Sequence, residues 1–274
     1  MRLSILARGR RRKRAGRYRG PVTDADALVA RLRAAGCVFA EDEATLLREA
    51  ASGAALEELV ARRVAGEPLE VLLGWAEFAG LRVAVAPGVF VPRLRSETLV
   101  DAVLEALPDA AVVVELCCGV AAIAAAVATA RPDAEVWASD VDPDAVAVAR
   151  RNLPPDRVLE GDLYEALPAA LRGRVDVLVA NAPYVPTAEI ANMPSEARDH
   201  EHRVALDGGA DGHAVQARIA AGCREWLAPG GRVVIETSRR QAARTASLLE
   251  GRGLVVRVVR DEERDGTCVV GEAP

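Results

Sequence analysis

Lysine is nearly missing from this chain: Lys13 stands alone beside 34 arginines. Aromatic residues are sparse too, at 3 %, against abundant alanine and arginine, so the bias reads as genome base composition and carries no functional message. No stretch approaches the roughly 18 uncharged apolar residues that a membrane-spanning helix needs, which excludes such an anchor. The five cysteines, at 37, 117, 118, 223 and 268, are odd in number and follow neither metal-ligand nor disulfide-framework spacing. That excludes a stapled secreted scaffold and a cysteine-bound metal, and it fits a reducing, cytoplasmic location. His200 and His202 are two residues apart with no obvious third ligand, so no metal is expected. The amino-terminal stretch lacks the apolar core of a secretory signal.

What the chain does have is enough apolar residues, 51 % of 274, to bury a full core with room for one large domain and a small one. Its charge is unevenly placed. Residues 1–20 hold nine Arg or Lys and no acid, while the remaining 254 residues carry 26 basic against 40 acidic side chains. A run of this kind cannot form a core, and residues 1–20 are expected to be an unstructured basic tail. As a contact arm for nucleic acid or as a dispensable segment, its role stays open. The acidic body argues against a groove built for phosphate backbones.

Residues 21–70 read as a small helical bundle, with Asp24 and Asp26 capping a first helix, then amphipathic stretches at 41–49 and 56–64. Residues 71–95 switch to period two and are expected to form a hairpin linker, with Pro87-Gly88 turning into Val89-Phe90-Val91. The rest, 96–274, opens with a helix at 96–107 and then alternates strand and helix. Strands are expected near 111–116, 135–139, 157–160, 175–180, 231–237, 254–260 and 267–271. Helices are expected near 120–130, 143–152, 164–171, 211–227 and 239–250. Such alternation means a mostly parallel, doubly wound sheet. The last two strands have too short a link for a crossover helix and must pair antiparallel.

Polar residues gather where these strands end. The first strand runs through Glu115 into Cys117, Cys118, Gly119, Val120 and Ala121, and then a helix. Asp140 ends the second strand, where a carboxylate can take both hydroxyls of a ribose. Asp162 and Leu163 follow the third. After the fourth, Val175 to Ala180, comes Asn181-Ala182-Pro183-Tyr184. Each acid alone is as well explained as a helix cap or a solvated loop residue. Three acids after three successive strands, with Asn-x-Pro-Tyr after the fourth, form a pattern.

On these residues the chain resembles the HemK/PrmC-type protein-(glutamine-N(5)) methyltransferases over nearly its whole length after residue 21. Val91-Pro92-Arg93 with Ser96-Glu97, and Glu201 followed by Ala205 to Gly209, add to the match. The resemblance implies an α/β fold of the class I S-adenosylmethionine-dependent kind, Rossmann-like, with seven strands of which one is antiparallel, plus a small amino-terminal helical bundle. It implies S-adenosylmethionine held by Glu115, the loop Cys117, Cys118, Gly119, Val120 and Ala121, and by Asp140, Asp162, Leu163 and Asn181. It also implies an acceptor clamp at Asn181, Ala182, Pro183 and Tyr184, with Arg93 and Glu201 as candidates for shaping the site or merely stapling two loops. The expected partner is a protein carrying a glutamine, a peptide-chain release factor in the best-known members.

The clamp makes chemical sense. An amide nitrogen is a poor nucleophile because its lone pair is delocalised. The Asn181 side-chain oxygen and the Ala182 carbonyl can each accept one N–H of an NH2 group, aiming the nitrogen without a general base. Pro183 stiffens the turn, and the Tyr184 ring can cover the planar group or face a cationic sulfonium.

The chain departs from the family pattern in three places. The cofactor loop, Asp/Glu-x-Gly-x-Gly-x-Gly in the family, keeps only Gly119, with side chains at 117 and 121. Pro-Arg-Pro-Glu-Thr-Glu becomes Pro92-Arg93-Leu94-Arg95-Ser96-Glu97, and Asn-Pro-Pro-Tyr becomes Asn181-Ala182-Pro183-Tyr184. These changes suggest a paralogue branch and leave two further readings: an adenine-N(6) methyltransferase acting on nucleic acid, and a non-catalytic interaction module on the same fold.

Overall fold

The structure, a computed structural model, describes residues 24–105 and 107–274. The tail expected at 1–20 and the first residues assigned to the bundle lie outside the described residues.

Four helices come first: α1 (Asp24–Ala34), α2 (Ala40–Ala50), α3 (Gly53–Val64) and α4 (Leu69–Leu73). Leu28, Leu32, Leu47, Val60 and Leu69 point inward at helical spacing and close a core of their own. Inside it Arg63 is buried and pairs with Glu43 at 2.7 Å. Its Nη1 reaches out of the bundle to Glu196 at 2.8 Å.

The hairpin differs from expectation. It consists of β1 (Trp75–Phe78) and β2 (Leu81–Ala84), joined through Ala79 and Gly80, both at positive φ as a two-residue hairpin turn requires. Residues 69–73, partly assigned to the linker by sequence, are helical, and Val89-Phe90-Val91 is not a strand. That segment is instead held by a distant loop: Gly88 bridges to Glu201, and the Val91 N–H donates to the Glu201 carboxylate at 3.3 Å.

After α5 (Glu97–Leu104) the chain winds through β3 (Val112–Leu116), α6 (Ala122–Ala130), β4 (Glu135–Asp140), α7 (Pro143–Ala149), β5 (Val158–Glu160) and β6 (Val175–Ala180). Then follow α8 (Ser195–Arg198), α9 (Ala214–Trp226), β7 (Leu227–Glu236), α10 (Ala242–Glu250), β8 (Val255–Asp261) and β9 (Gly266–Glu272). The helix expected at 164–171 is two 3-10 turns, Leu163–Ala166 and Ala169–Leu171. Pro168 separates them, because it has no N–H to donate and restricts Leu167 before it. β7 starts earlier than expected, absorbing Leu227 to Gly230 through an irregularity opposite Val175 and Val177.

The seven strands lie in the order β5-β4-β3-β6-β7-β9-β8. β9 alone is reversed, antiparallel to both β7 and β8. Period-two alternation divides the strands between two cores: Val113, Val177 and Val179 face α6 and the hairpin, while Val114, Leu116, Leu178 and Ala180 face the side that holds Ile219 and Leu249. The order runs outward from β3 in one direction and from β6 in the other. Their carboxyl ends therefore flank the crevice where doubly wound sheets take ligands. Among the described residues no helix is long and apolar enough to cross a membrane.

Candidate active site

The loop leaving β3 follows its expected path with unexpected residues. Cys117, Gly119 and Ala121 all adopt left-handed backbone, with φ of 53°, 54° and 58°. These are the three positions where the family pattern has glycine. Holding a side chain there costs about 1–2 kcal/mol per residue, so the turn is kept at the expense of strain. The Cys118 N–H donates to the Ser139 carbonyl at 3.0 Å and the Gly119 N–H to Asp140 Oδ2 at 2.8 Å, which ties the loop to the end of β4. From the other side Asn152 donates to the Val120 carbonyl at 2.8 Å, and it also accepts from Ala84 N–H and donates to the Ala84 carbonyl of β2.

A cavity of about 370 Å³ opens over this loop. Glu115, Cys117, Cys118, Gly119 and Val120 contribute to its wall from β3 and its loop, with Asp140, Asp162 and Leu163 from the next two strand ends. Asn181, Ala182, Pro183 and Tyr184 contribute from the end of β6. Cys117 is therefore a wall residue of a space that stays open. Ala121 is the exception in the loop: it is fully buried in the core under α6 and takes no part in the wall.

Glu115 Oε2 accepts the Ala124 N–H at 2.7 Å, capping the start of α6. Burial, with the neighbouring charge of Asp140 a lesser cause, pushes its carboxyl up to about 8. Each Asp140 oxygen takes one backbone N–H, from Gly119 and from Asp142 at 2.9 Å, leaving its outer lone pairs toward the cavity. Burial holds Asp140 above the usual carboxylate range. Asp162 is paired at 2.7 Å with Arg218, a cavity residue from α9 that the sequence reading did not find. Leu163, at φ 52°, presents a buried apolar side chain beside it.

At the β6 end, Asn181 Nδ2 donates to Ser96 Oγ at 3.2 Å, which leaves Oδ1 for the cavity. The Tyr184 hydroxyl donates to Glu236 Oε1 at 3.2 Å, and its carbonyl accepts from Gln241 Nε2 at 2.9 Å. A glycine-rich segment supports this turn from beneath: Val185 N–H donates to Leu206, and Gly208 N–H donates back to Val185. A Cβ on Gly208 would lie 2.8 Å from the Pro183 carbonyl oxygen, so only glycine permits the approach.

Arg93 and Glu201 form an ion pair, and Arg93 lies over the Phe90 ring with its guanidinium carbon 5.2 Å from the centroid. Neither belongs to the cavity wall, although Pro92 before Arg93 and Arg95 after it do. Of the two roles left open, the geometry fits the staple. Ser96, Asn152, Arg218, Glu236 and Gln241 are supporting residues absent from the sequence-derived set. Glu236 carried a legible signal, an acid closing an apolar strand, the same feature that singled out Glu115. Asn152 carried none.

The donor set suits S-adenosylmethionine: a buried acid for an ammonium, Asp140 at a strand end for a diol, and a half-exposed carboxylate with an apolar neighbour for an amino-substituted base. A seven-stranded sheet with one reversed strand and this crevice define a class I methyltransferase. A family model described as "Methyltransferase small domain" matches residues 80–198. A methyltransferase from Pyrococcus furiosus shares the fold at TM-score 0.53 and 18 % identity, over 70 % of this chain and 89 % of that one. The release factor glutamine methyltransferase of Geobacter sulfurreducens is 39 % identical over 69 % of this chain and 67 % of its own. That of Mycolicibacterium smegmatis is 43 % identical over 70 % and 69 %. The chain belongs to the release factor glutamine methyltransferase family. It is an enzyme, and its family implies S-adenosylmethionine as donor.

Proposed function

We propose that this enzyme methylates the side-chain amide nitrogen of a glutamine in a protein, with a peptide-chain release factor, named in its relatives, as the substrate to test first. The observation that carries the reading is the Asn181 amide, whose nitrogen donates to Ser96 and which lines the cavity together with Ala182. The Asn181 oxygen and the Ala182 carbonyl, one acceptor each, would match the two hydrogens of one NH2 group.

When bound, S-adenosylmethionine supplies a methyl on a positively charged sulfur. Asn181 Oδ1 and the Ala182 carbonyl hold the acceptor NH2 in one plane. Pro183 keeps their spacing, and Tyr184 packs on the planar group and keeps water from it. Orientation of this sort can lower a barrier by several kcal/mol without a general base, and the one proton the nitrogen sheds on alkylation goes to solvent as product leaves. Glu115, Asp140 and Asp162 hold the donor. The acidic balance outside residues 1–20 favours a protein over a nucleic acid as partner. Five free cysteines, four of them buried, suit a reducing compartment, and we place the reaction in the cytoplasm.

The test is to incubate the protein and Asn181→Ala with methyl-labelled donor and a purified bacterial release factor, then map the label by mass spectrometry. Label on one glutamine, reduced about 10²-fold or more in the variant, is the expected result. Label on arginine, lysine or added nucleic acid would refute the assignment.

A further inference from the structure

The cavity wall carries four carboxyl side chains, Glu115, Asp140, Asp142 and Asp162, and two guanidinium groups, Arg95 and Arg218. Arg218 is committed to Asp162 at 2.7 Å. Arg95 is not committed. Its Nε lies 3.4 Å from Glu236 Oε1, the oxygen that also accepts from the Tyr184 hydroxyl at 3.2 Å. Its side chain is 41 % exposed against 2 % for Glu236, so the group is tied to a buried carboxyl and opens on the cavity. Neither terminal nitrogen has a hydrogen bond or ion pair among the described residues. A guanidinium keeps its charge at every working pH, and its terminal N–H groups form a planar fork that matches the two oxygens of a carboxylate.

Strand order says what that fork meets. β6 lies between β3 and β7. The donor's ammonium is assigned to Glu115 on β3 and the acceptor NH2 to the residues after β6, while Arg95 is tied to Glu236, the last residue of β7. Neighbouring strands are roughly 4.8 Å apart. Arg95 is therefore anchored about one strand spacing beyond the acceptor amide, on the side away from the donor. One residue of extended chain spans about 3.5 Å, so a side chain next to the methylated glutamine comes within reach. The general field works the other way. Residues after 20 carry 26 basic against 40 acidic side chains and repel an acidic segment.

We infer that Arg95 is a specificity-determining residue for the acceptor: its fork pairs with a carboxylate on a residue beside the methylated glutamine. The substrate class is thus a glutamine in an acidic setting. This rests on the reading of Asn181 and Ala182 as the clamp for the glutamine NH2 and narrows it.

Two acetylated tripeptide amides of equal shape, Asp-Gln-Asp and Asn-Gln-Asn, test it. They are titrated at about 0.15 M salt into protein saturated with S-adenosylhomocysteine, the demethylated donor. Wild type should bind the acidic peptide about tenfold more tightly, the effect of one charged hydrogen-bonded pair. Arg95→Gln removes the cation but keeps N–H groups for Glu236, and it should bind the two peptides equally. Arg95→Lys, with the charge and no fork, should fall between. Equal affinities in wild type, no binding of either peptide, or a preference that survives Arg95→Gln would overturn the proposal. A lost affinity for S-adenosylmethionine in Arg95→Gln would overturn it too, by giving the fork to the donor's own carboxylate. The same exchange of flanking residues in a release factor separates this proposal from the wider reading. Methylation of both forms at one rate keeps the glutamine assignment and removes the role of Arg95. A peptide preference with no release factor methylated keeps that role and removes the release factor.

Discussion

At the scale of single residues, Glu115 is the group whose state should change most on binding. Its carboxyl is pushed up to about 8 by burial, so near neutral pH it holds a proton in the unliganded protein. Placing a ligand ammonium beside it should expel that proton. Calorimetry of S-adenosylmethionine binding at about pH 7 should therefore show proton release, seen as a dependence of enthalpy on the buffer's ionisation heat, and Glu115→Gln should abolish it. The sign for stability follows from the same shift. Between the ordinary value of 4.5 and about 8 the folded state holds a proton that the unfolded state has lost. Unliganded stability should thus fall as pH rises through that window. Gly119 offers a second check. Nothing lies within 4 Å of the position its Cβ would take, yet its φ is 54°. Gly119→Ala should cost about 1 kcal/mol in urea unfolding from backbone conformation alone. Cys117 and Ala121 already bear this strain, which is why a missing glycine pattern in the sequence did not mean a missing loop.

At the scale of elements, the strands and most helices were legible because buried parallel strands read as apolar runs between periodic helices. The antiparallel β8–β9 pair followed from the brevity of its link. What was not legible depended on contacts far away in the chain. Val89 to Val91 has the composition of a strand, but its backbone is claimed by Glu201. The segment around Pro168 kept helical periodicity through a residue that breaks helices. Of the site, the residues facing the cavity could be found because they end strands. Those brought in from elsewhere, Ser96 of the wall and Asn152 behind it above all, depend on which loops meet. One such meeting is titratable. His202 Nδ1 lies 2.7 Å from Asp142, the cap of α7, and this hydrogen bond raises the imidazole above its ordinary 6.5. A raised histidine stabilises the fold below its unfolded value and loses that contribution as pH rises through the folded one. His202→Ala should therefore be less stable than wild type at about pH 5.5, with the gap closing by about pH 8, as read by urea unfolding.

At the scale of the whole molecule, the helical bundle is joined to α8 through Arg63. This arginine is 6 % exposed, pairs with the fully buried Glu43, and reaches Glu196 of α8. Removing only the cation strands a carboxylate in an apolar core. Arg63→Met should destabilise the protein by about 3–5 kcal/mol, and the double variant Glu43→Leu/Arg63→Met should recover most of that loss. Urea midpoints of the two variants at constant slope would decide it.

The same arginine makes the methyl-transferring half a poor candidate for life on its own. Cut the chain ahead of β1 and Glu196 of α8 loses its counter-ion, three residues after Met193 of the cavity wall. The small helical lobe is thus a brace for a turn of the larger one.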